Sequence, residues 1–335
     1  MRKFFRLILA PLSWLLHACS PLGKPVDIDV SDNFYYDKSE TDVIYSSMGN
    51  WFELGKTPMN ADAETFEVLN AHLGRDKNRA YYKWHPIPNE QIDLKSFDAS
   101  YSDWMWHIGM DKGNVYAFGD DVINGEWQLV MNIIEGADPE TFKNIDHLWS
   151  KDSSNYFYNH KMIKVSYESF EVINDTFSKD LDSVYLYYQD RFESVGSGLK
   201  GFKKIDRYYA MDTEMVYYFQ DYINGEKSEV LIKIPYSNPA TIEVAEENYL
   251  LVDESVYYRG LLVDDVNMNK LEVISRDLIK DDNSVFYGYI PIDGADPTTF
   301  KWDEDNFQYK DKHRLYTYDE LERRTSSVKS EATIN

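Results

Sequence analysis

The residues best suited to chemistry in this chain stand at spacings that do not assemble it. The stretch GSGLKG places Gly196, Gly198 and Gly201 at G-x-G-x-x-G spacing. Between a strand and a helix, that spacing lets the backbone approach a pyrophosphate. Here it runs into FKKIDRYYAMD, a segment of the repeat described below, so a loop is expected and no nucleotide site. Beyond the leader the histidines are His72, His85, His107, His147, His160 and His313, none at zinc-ligand spacing. There is no G-x-S-x-G nucleophile elbow. Asp265, Asn267 and Asn269 begin like a calcium loop, but Lys270 occupies the position that needs Gly and Arg276 that of the bidentate Glu. Asp27, Asp29 and Asp32 form a second acidic cluster. Weak calcium binding is the only cofactor reading these residues leave open. Aspartates are so numerous that none can be paired as a glycosidase couple from sequence; that reading requires two carboxylates flanking one cleft.

The elements that must carry these residues repeat. IIEGADPETFKNI starts at Ile133 and IPIDGADPTTFKW at Ile290. Looser copies fill the interval and extend upstream, each with an Asp a few residues before an aromatic cluster: Asp76, Asp111, Asp152, Asp180, Asp212, Asp253, Asp281 and Asp311. The reading is mainly β: about eight hairpin repeats of roughly 28–40 residues between 62 and 320, in an open solenoid-like array. About 30 residues is short for a four-stranded propeller blade, which disfavours a closed propeller.

The array resembles the bacterial DKNYY family. RDKNRAYYK carries Asp76, Lys77 and Asn78, followed by Tyr81 and Tyr82; KDDNSVFY and GADPETF are in the family's style. The resemblance covers most of the chain and implies architecture rather than an activity.

In LIKDDNSVFYGYI, apolar residues run into a polar cluster and out into Val285, Phe286 and Tyr287, which is the pattern of a hairpin. The recurring Asp is therefore a turn residue, because Asp and Asn bond nearby backbone N–H groups and tolerate tight turns. Strand side chains alternate faces, so Val285 and Tyr287 share one face and Phe286 takes the other. Both faces are then apolar, and an isolated hairpin cannot cover both. Stacking on neighbouring copies can. The phrase DPxTF reads as a single helical turn or tight bend that drives Phe142 or Phe300 into the core between hairpins. In SDWMWHIGM, Trp104 and Trp106 share a face that is either core or a binding anchor.

The formal net charge is −23, and Arg2, Lys3 and Arg6 supply +3 of it, so the chain beyond the leader carries −26. Such a surface repels phosphate backbones and argues against nucleic-acid partners. The apolar run Leu7 to Leu16 is about half of the roughly 20 residues needed to span a bilayer, and is of signal-peptide length. It ends at Leu16-His17-Ala18-Cys19, which resembles a bacterial lipobox, and Cys19 is the only cysteine. That resemblance implies a cleaved leader (1–18), lipidation at Cys19 and anchoring in the cell envelope. Ser20 in place of an Asp favours the outer membrane. The remaining boundaries are a lipid-anchored linker (19–29), a degenerate first unit or cap (30–61), the array (62–320) and a disordered tail (321–335). The functional expectation is a non-catalytic envelope lipoprotein whose acidic repeat surface binds a protein partner. The alternatives are an immunity-type protein that neutralises a basic toxin, and an envelope enzyme that acts on glycan.

Overall fold

The computed structural model describes residues 20–99, 107–189, 191–197, 200–223, 226–246 and 248–327. Two compact units divide the chain at Tyr167 and Glu168. Among the described residues the first contains four antiparallel sheets, at 34–58, 67–86, 98–133 and 143–163. The second contains five, at 171–197, 203–235, 243–263, 272–291 and 301–316. The first and last sheets have three strands and the rest four, each a simple meander; none closes as a barrel. Eight sheets lie between 62 and 320, and the ninth occupies the segment read as a degenerate unit.

The expected hairpin is the central strand pair of each four-stranded meander. Leu73–Arg75 pairs with Ala80–Tyr82, and Leu278–Lys280 with Val285–Tyr287. The flanking strands are often only two residues long, as at Glu67–Val68 and His85–Pro86. Strands this short bury too little to be stable alone.

Alternation along the third strand of a sheet sends its two faces into different cores. Tyr81 packs with Phe34, Tyr45 and Phe66, between the first and second sheets. Its neighbours Ala80 and Tyr82 pack with Phe97, Tyr116 and Phe118, between the second and third. In the second unit, Phe286 joins Tyr249 and Val256 of the preceding sheet, while Val285 and Tyr287 join Phe300 and Tyr316 of the following one. Within each unit the core is thus a series of layers shared by consecutive sheets, as expected for an array whose members cannot bury both faces alone.

The DPxTF phrase forms the bend that feeds these layers. Asp138 O accepts the Phe142 N–H at 2.9 Å, and Asp296 O that of Phe300 at 2.9 Å. The two rings are 8% and 3% exposed.

Two boundaries need correction. The segment read as a linker is partly docked: Gly23 N–H donates to Tyr36 O at 2.8 Å, Tyr36 N–H to Lys24 O at 3.0 Å, and Val26 N–H to Phe34 O at 3.0 Å. Residues 23–26 therefore extend the first sheet, whose edge would otherwise lack a partner. The tail read as disordered from Leu321 starts inside a helix, Tyr318–Ser327, because Leu321 is fully buried in the last apolar layer. Residues 328–335 lie outside the described residues. No helix among the described residues is long and apolar enough to cross a membrane.

Candidate interaction surface

The recurring aspartates build one hydrogen-bonded device. Asp111 opens a four-residue loop closed by the Met110–Val115 pair. One carboxylate oxygen, Oδ1, accepts the N–H groups of Gly113 (2.7 Å) and Asn114 (2.9 Å). The other, Oδ2, accepts the Tyr116 hydroxyl at 2.7 Å and the Asp93 N–H, from the preceding connector, at 2.8 Å. Turn, strand aromatic and connector are thus tied to a single side chain. Asp76 and Asp311 make the same four contacts, with Tyr81 and Asp62, and with Tyr316 and Asp296. Asp180 and Asp212 cap their loops and accept from Tyr185 and Tyr217. At Asp152 and Asp281 the aromatic is Phe157 or Phe286, and Oδ2 accepts the connector N–H of Asp138 or Asn267.

Asp253 departs from this pattern. The Val252–Ser255 pair leaves a two-residue loop, Asp253 has φ 53°, and its carboxylate turns to the connector, accepting from Ser237 and Asn238 N–H and from Thr241 Oγ1. Tyr258, five residues on, donates instead to Asp277 at 2.8 Å.

Electrostatics follow the geometry. Burial alone would raise the Asp311 carboxyl, but the Asp296 N–H, the Tyr316 hydroxyl and the loop N–H groups outweigh it and hold the group at about 2. Burial, reinforced by the adjoining carboxylate, pushes Tyr116 and Tyr185 up to about 12. A carboxylate that accepts three or four donors is poorly placed to shuttle a proton or displace a water.

A second capping position escaped the sequence reading. Asn70, Asp146, Asn174 and Asp206 each accept two N–H groups in the loop before the second strand, six residues ahead of the repeat Asp. The spaced pair of Asx residues in NAHLGRD, DHLWSKD, NDTFSKD and DRYYAMD was the available signal. In the first sheet, Asp37 caps an equivalent but wider loop through Thr41 and Asp42.

Cys19, Trp104 and Trp106 lie outside the described residues. Asn267 spends its side chain on the Asn269 N–H and on Asp282, and Asp27 accepts the Asp29 N–H. Among the described residues no three His, Cys, Asp or Glu side chains are grouped to hold a metal ion. Gly196 lies in a strand, Arg191–Ser197, and Gly201 in a turn at φ 72°.

An accessible apolar surface lies where a meander outgrows its layer. Strands Val115–Ile123 and Glu126–Ile133 are far longer than the strands around them. They turn through Asn124 (φ 56°) and Gly125 (φ 83°), the left-handed pair that suits a two-residue hairpin. Glu126–Ile133 is an edge strand. Its sequence EWQLVMNI contains one charge, at the first position, and no Lys, Arg or Pro. Trp127, Leu129, Met131 and Ile133 alternate onto one face, and Trp127 sits opposite Val122. Trp127, Val122 and Ile133 are 58%, 50% and 45% exposed. The corresponding edge in the second unit, Glu226–Pro235, carries Lys227, Glu229, Lys233 and a terminal Pro. Charges and Pro are the usual protection against unwanted strand pairing. The Asn-Gly pair in VINGEW was the overlooked signal for the long hairpin.

No curated protein and no solved structure matches this chain. The model of the DKNYY family matches residues 34–191 and 186–320, spanning most of the nine sheets and every repeat Asp. With its Asp-capped meanders covered over nearly their whole length, the chain belongs to the DKNYY family.

Proposed function

We propose that this protein is a non-catalytic, lipid-anchored protein of the bacterial envelope, with the outer membrane favoured, that binds a protein partner by adding an extended segment to the Glu126–Ile133 edge. The observation that carries this reading is that long edge, charged only at Glu126, with its half-exposed Trp127 and Ile133. A strand laid against it would gain main-chain hydrogen bonds, and its alternate side chains would meet the Trp127–Ile133 stripe. The partner is a protein rather than a nucleic acid, since the strong negative charge repels phosphate. The saturated turn carboxylates speak against a glycan-cleaving role for the repeat aspartates. A photo-crosslinking amino acid at position 127 of the full chain, in its native envelope, tests the reading. One crosslinked protein band is expected, lost when Val130→Pro disrupts the edge. Absence of a band, or equal crosslinking from position 140, overturns it.

A further inference from the structure

Among the described residues the first sheet has one neighbouring sheet along the chain, and a loop covers its other face. Phe34, Tyr36, Val43 and Tyr45 point into the layer shared with the second sheet. Tyr35 and Ile44 are paired across the strands and occupy the opposite face. The loop 46–56 closes over that face. Gly49 approaches the Tyr35 ring so closely that a Cβ there would sit 3.0 Å from Tyr35 Cζ, and Met48 N–H donates to Asn33 Oδ1 at 2.7 Å. Ile44 is consequently only 4% exposed.

A loop that merely covered the sheet would turn polar residues outward. This one turns out Met48 (66% exposed), Phe52 (78%) and Leu54 (54%). Its sequence, SSMGNWFELGK, holds one Glu and one Lys, so the loop is neutral in a chain of net charge −23.

Chain connectivity identifies what meets this surface. Pro25 bridges Tyr35 itself, and Gly23 is hydrogen-bonded to Tyr36. Cys19 precedes Gly23 by four residues, a span of at most ~14 Å when fully extended. An acyl chain on Cys19 would therefore hold the first sheet at the bilayer surface, on the side of the molecule that carries the neutral apolar loop. We infer that loop 46–56 is a membrane-contact surface: Phe52, Leu54 and Met48 enter the interfacial region of the leaflet that holds the lipid and fix the orientation of the first unit on the membrane. This rests on the lipid-anchor reading above. Its physical basis is that apolar and aromatic side chains gain free energy at the headgroup boundary.

The test uses the full chain, processed in bacteria and reconstituted into phosphatidylcholine vesicles with brominated acyl chains. If Cys19 is acylated, the wild-type protein has no free thiol, and Phe52→Cys can be labelled alone with an environment-sensitive fluorophore. Acyl-chain bromine should quench label at position 52 several-fold more than label at Glu90→Cys, and Leu54→Cys should behave like position 52. Quenching at 52 and 54 no greater than at 90 overturns the membrane contact while leaving the anchor intact. A reactive Cys19 thiol in the wild-type protein overturns the anchor and the contact with it. Both test positions are exposed, so the substitutions leave the core undisturbed.

Discussion

At the scale of the residue, the repeat Asp is a cap whose value lies in the number of donors it satisfies. Hydrogen bonds to a charged group contribute about 1.5–3 kcal/mol, and a donor left buried without a partner costs about 1–3 kcal/mol. Asp111→Ala removes the acceptor from two loop N–H groups, the Asp93 N–H and the buried Tyr116 hydroxyl. Tyr116→Phe removes one hydroxyl, which also meets Gln91 O at 3.1 Å and accepts from Asn114 Nδ2 at 3.2 Å, and the ring stays in the layer. Sites such as Phe157 and Phe286 work with a ring and no hydroxyl. We therefore expect Asp111→Ala to cost about 3–5 kcal/mol and Tyr116→Phe about 1 kcal/mol. The urea midpoint should drop clearly for the first and little for the second; equal shifts would show that the carboxylate is not the organising group. The turn role of these aspartates was legible because Asp followed by polar residues and aromatics recurs in order. The exception at Asp253 was not. Asp253 and Tyr258 keep the same five-residue spacing as Asp76 and Tyr81, but Leu251 pairs with Val256 as Arg75 pairs with Ala80, so Val252 takes the place of the repeat Asp and Asp253 stands one residue further into a loop that the Val252–Ser255 pair shortens.

At the scale of the element, a connector side chain fills the space over the second strand, and in the second and third sheets it is a ring. Phe66 lies over Gly74, where an added Cβ would sit 2.5 Å from the ring tip and 3.1 Å from the Glu67 carbonyl oxygen. Phe97 stands in the same relation to Gly109, at 2.8 Å. In the eighth sheet the corresponding residues are Leu271 and Ile279, a smaller connector over a larger strand residue. The two positions thus share one volume. Gly74→Val should overpack the layer and destabilise by about 1–3 kcal/mol. Adding Phe66→Leu should recover part of that loss rather than add its own, since the two side chains compete for the same space. A double-mutant cycle in urea checks this, and strictly additive losses would refute the shared-volume account. The alternation of faces was readable at Val285, Phe286 and Tyr287 because three apolar residues in a row can be buried only on two sides. The outer strands were not, because two-residue strands such as Lys143–Asn144 carry no period. Their pairing is imposed by the neighbouring strands.

At the scale of the whole molecule, the ordered recurrence of the Asp and the aromatics revealed an array, but nothing in that pattern separates its two units. The histidines do. His72, His85, His107 and His160 all belong to the first unit. His72 Nδ1 meets the Tyr45 hydroxyl at 2.8 Å, and the Nε2 atoms of His107 and His160 face each other at 3.2 Å across consecutive sheets. The nearby charges are the Lys83–Asp120 pair, at 2.7 Å, which joins the second and third sheets. Burial pushes His72 and His160 down to about 4, Lys83 adding to the effect on His72 and His107 to that on His160. It lowers His85 and His107 as well. The unfolded chain takes up these protons near pH 6.5 while the folded unit refuses them until about pH 4. Stability is therefore complete above pH 6.5 and falls as pH drops through this window, with His72 and His160 each responsible for roughly 3 kcal/mol at most. The lowered carboxyls of Asp111, Asp152, Asp281 and Asp311 act only at still lower pH, and they are spread over both units. Between pH 7 and 4.5 the first unit should thus lose hydrogen-exchange protection in strands such as Leu73–Arg75 and Val115–Ile123, while Met215–Ile223 and Leu278–Lys280 in the second unit keep theirs. His160→Gln should flatten the first unit's pH response. Equal loss of protection in both units would show that the buried imidazoles do not set the acid limit of the fold.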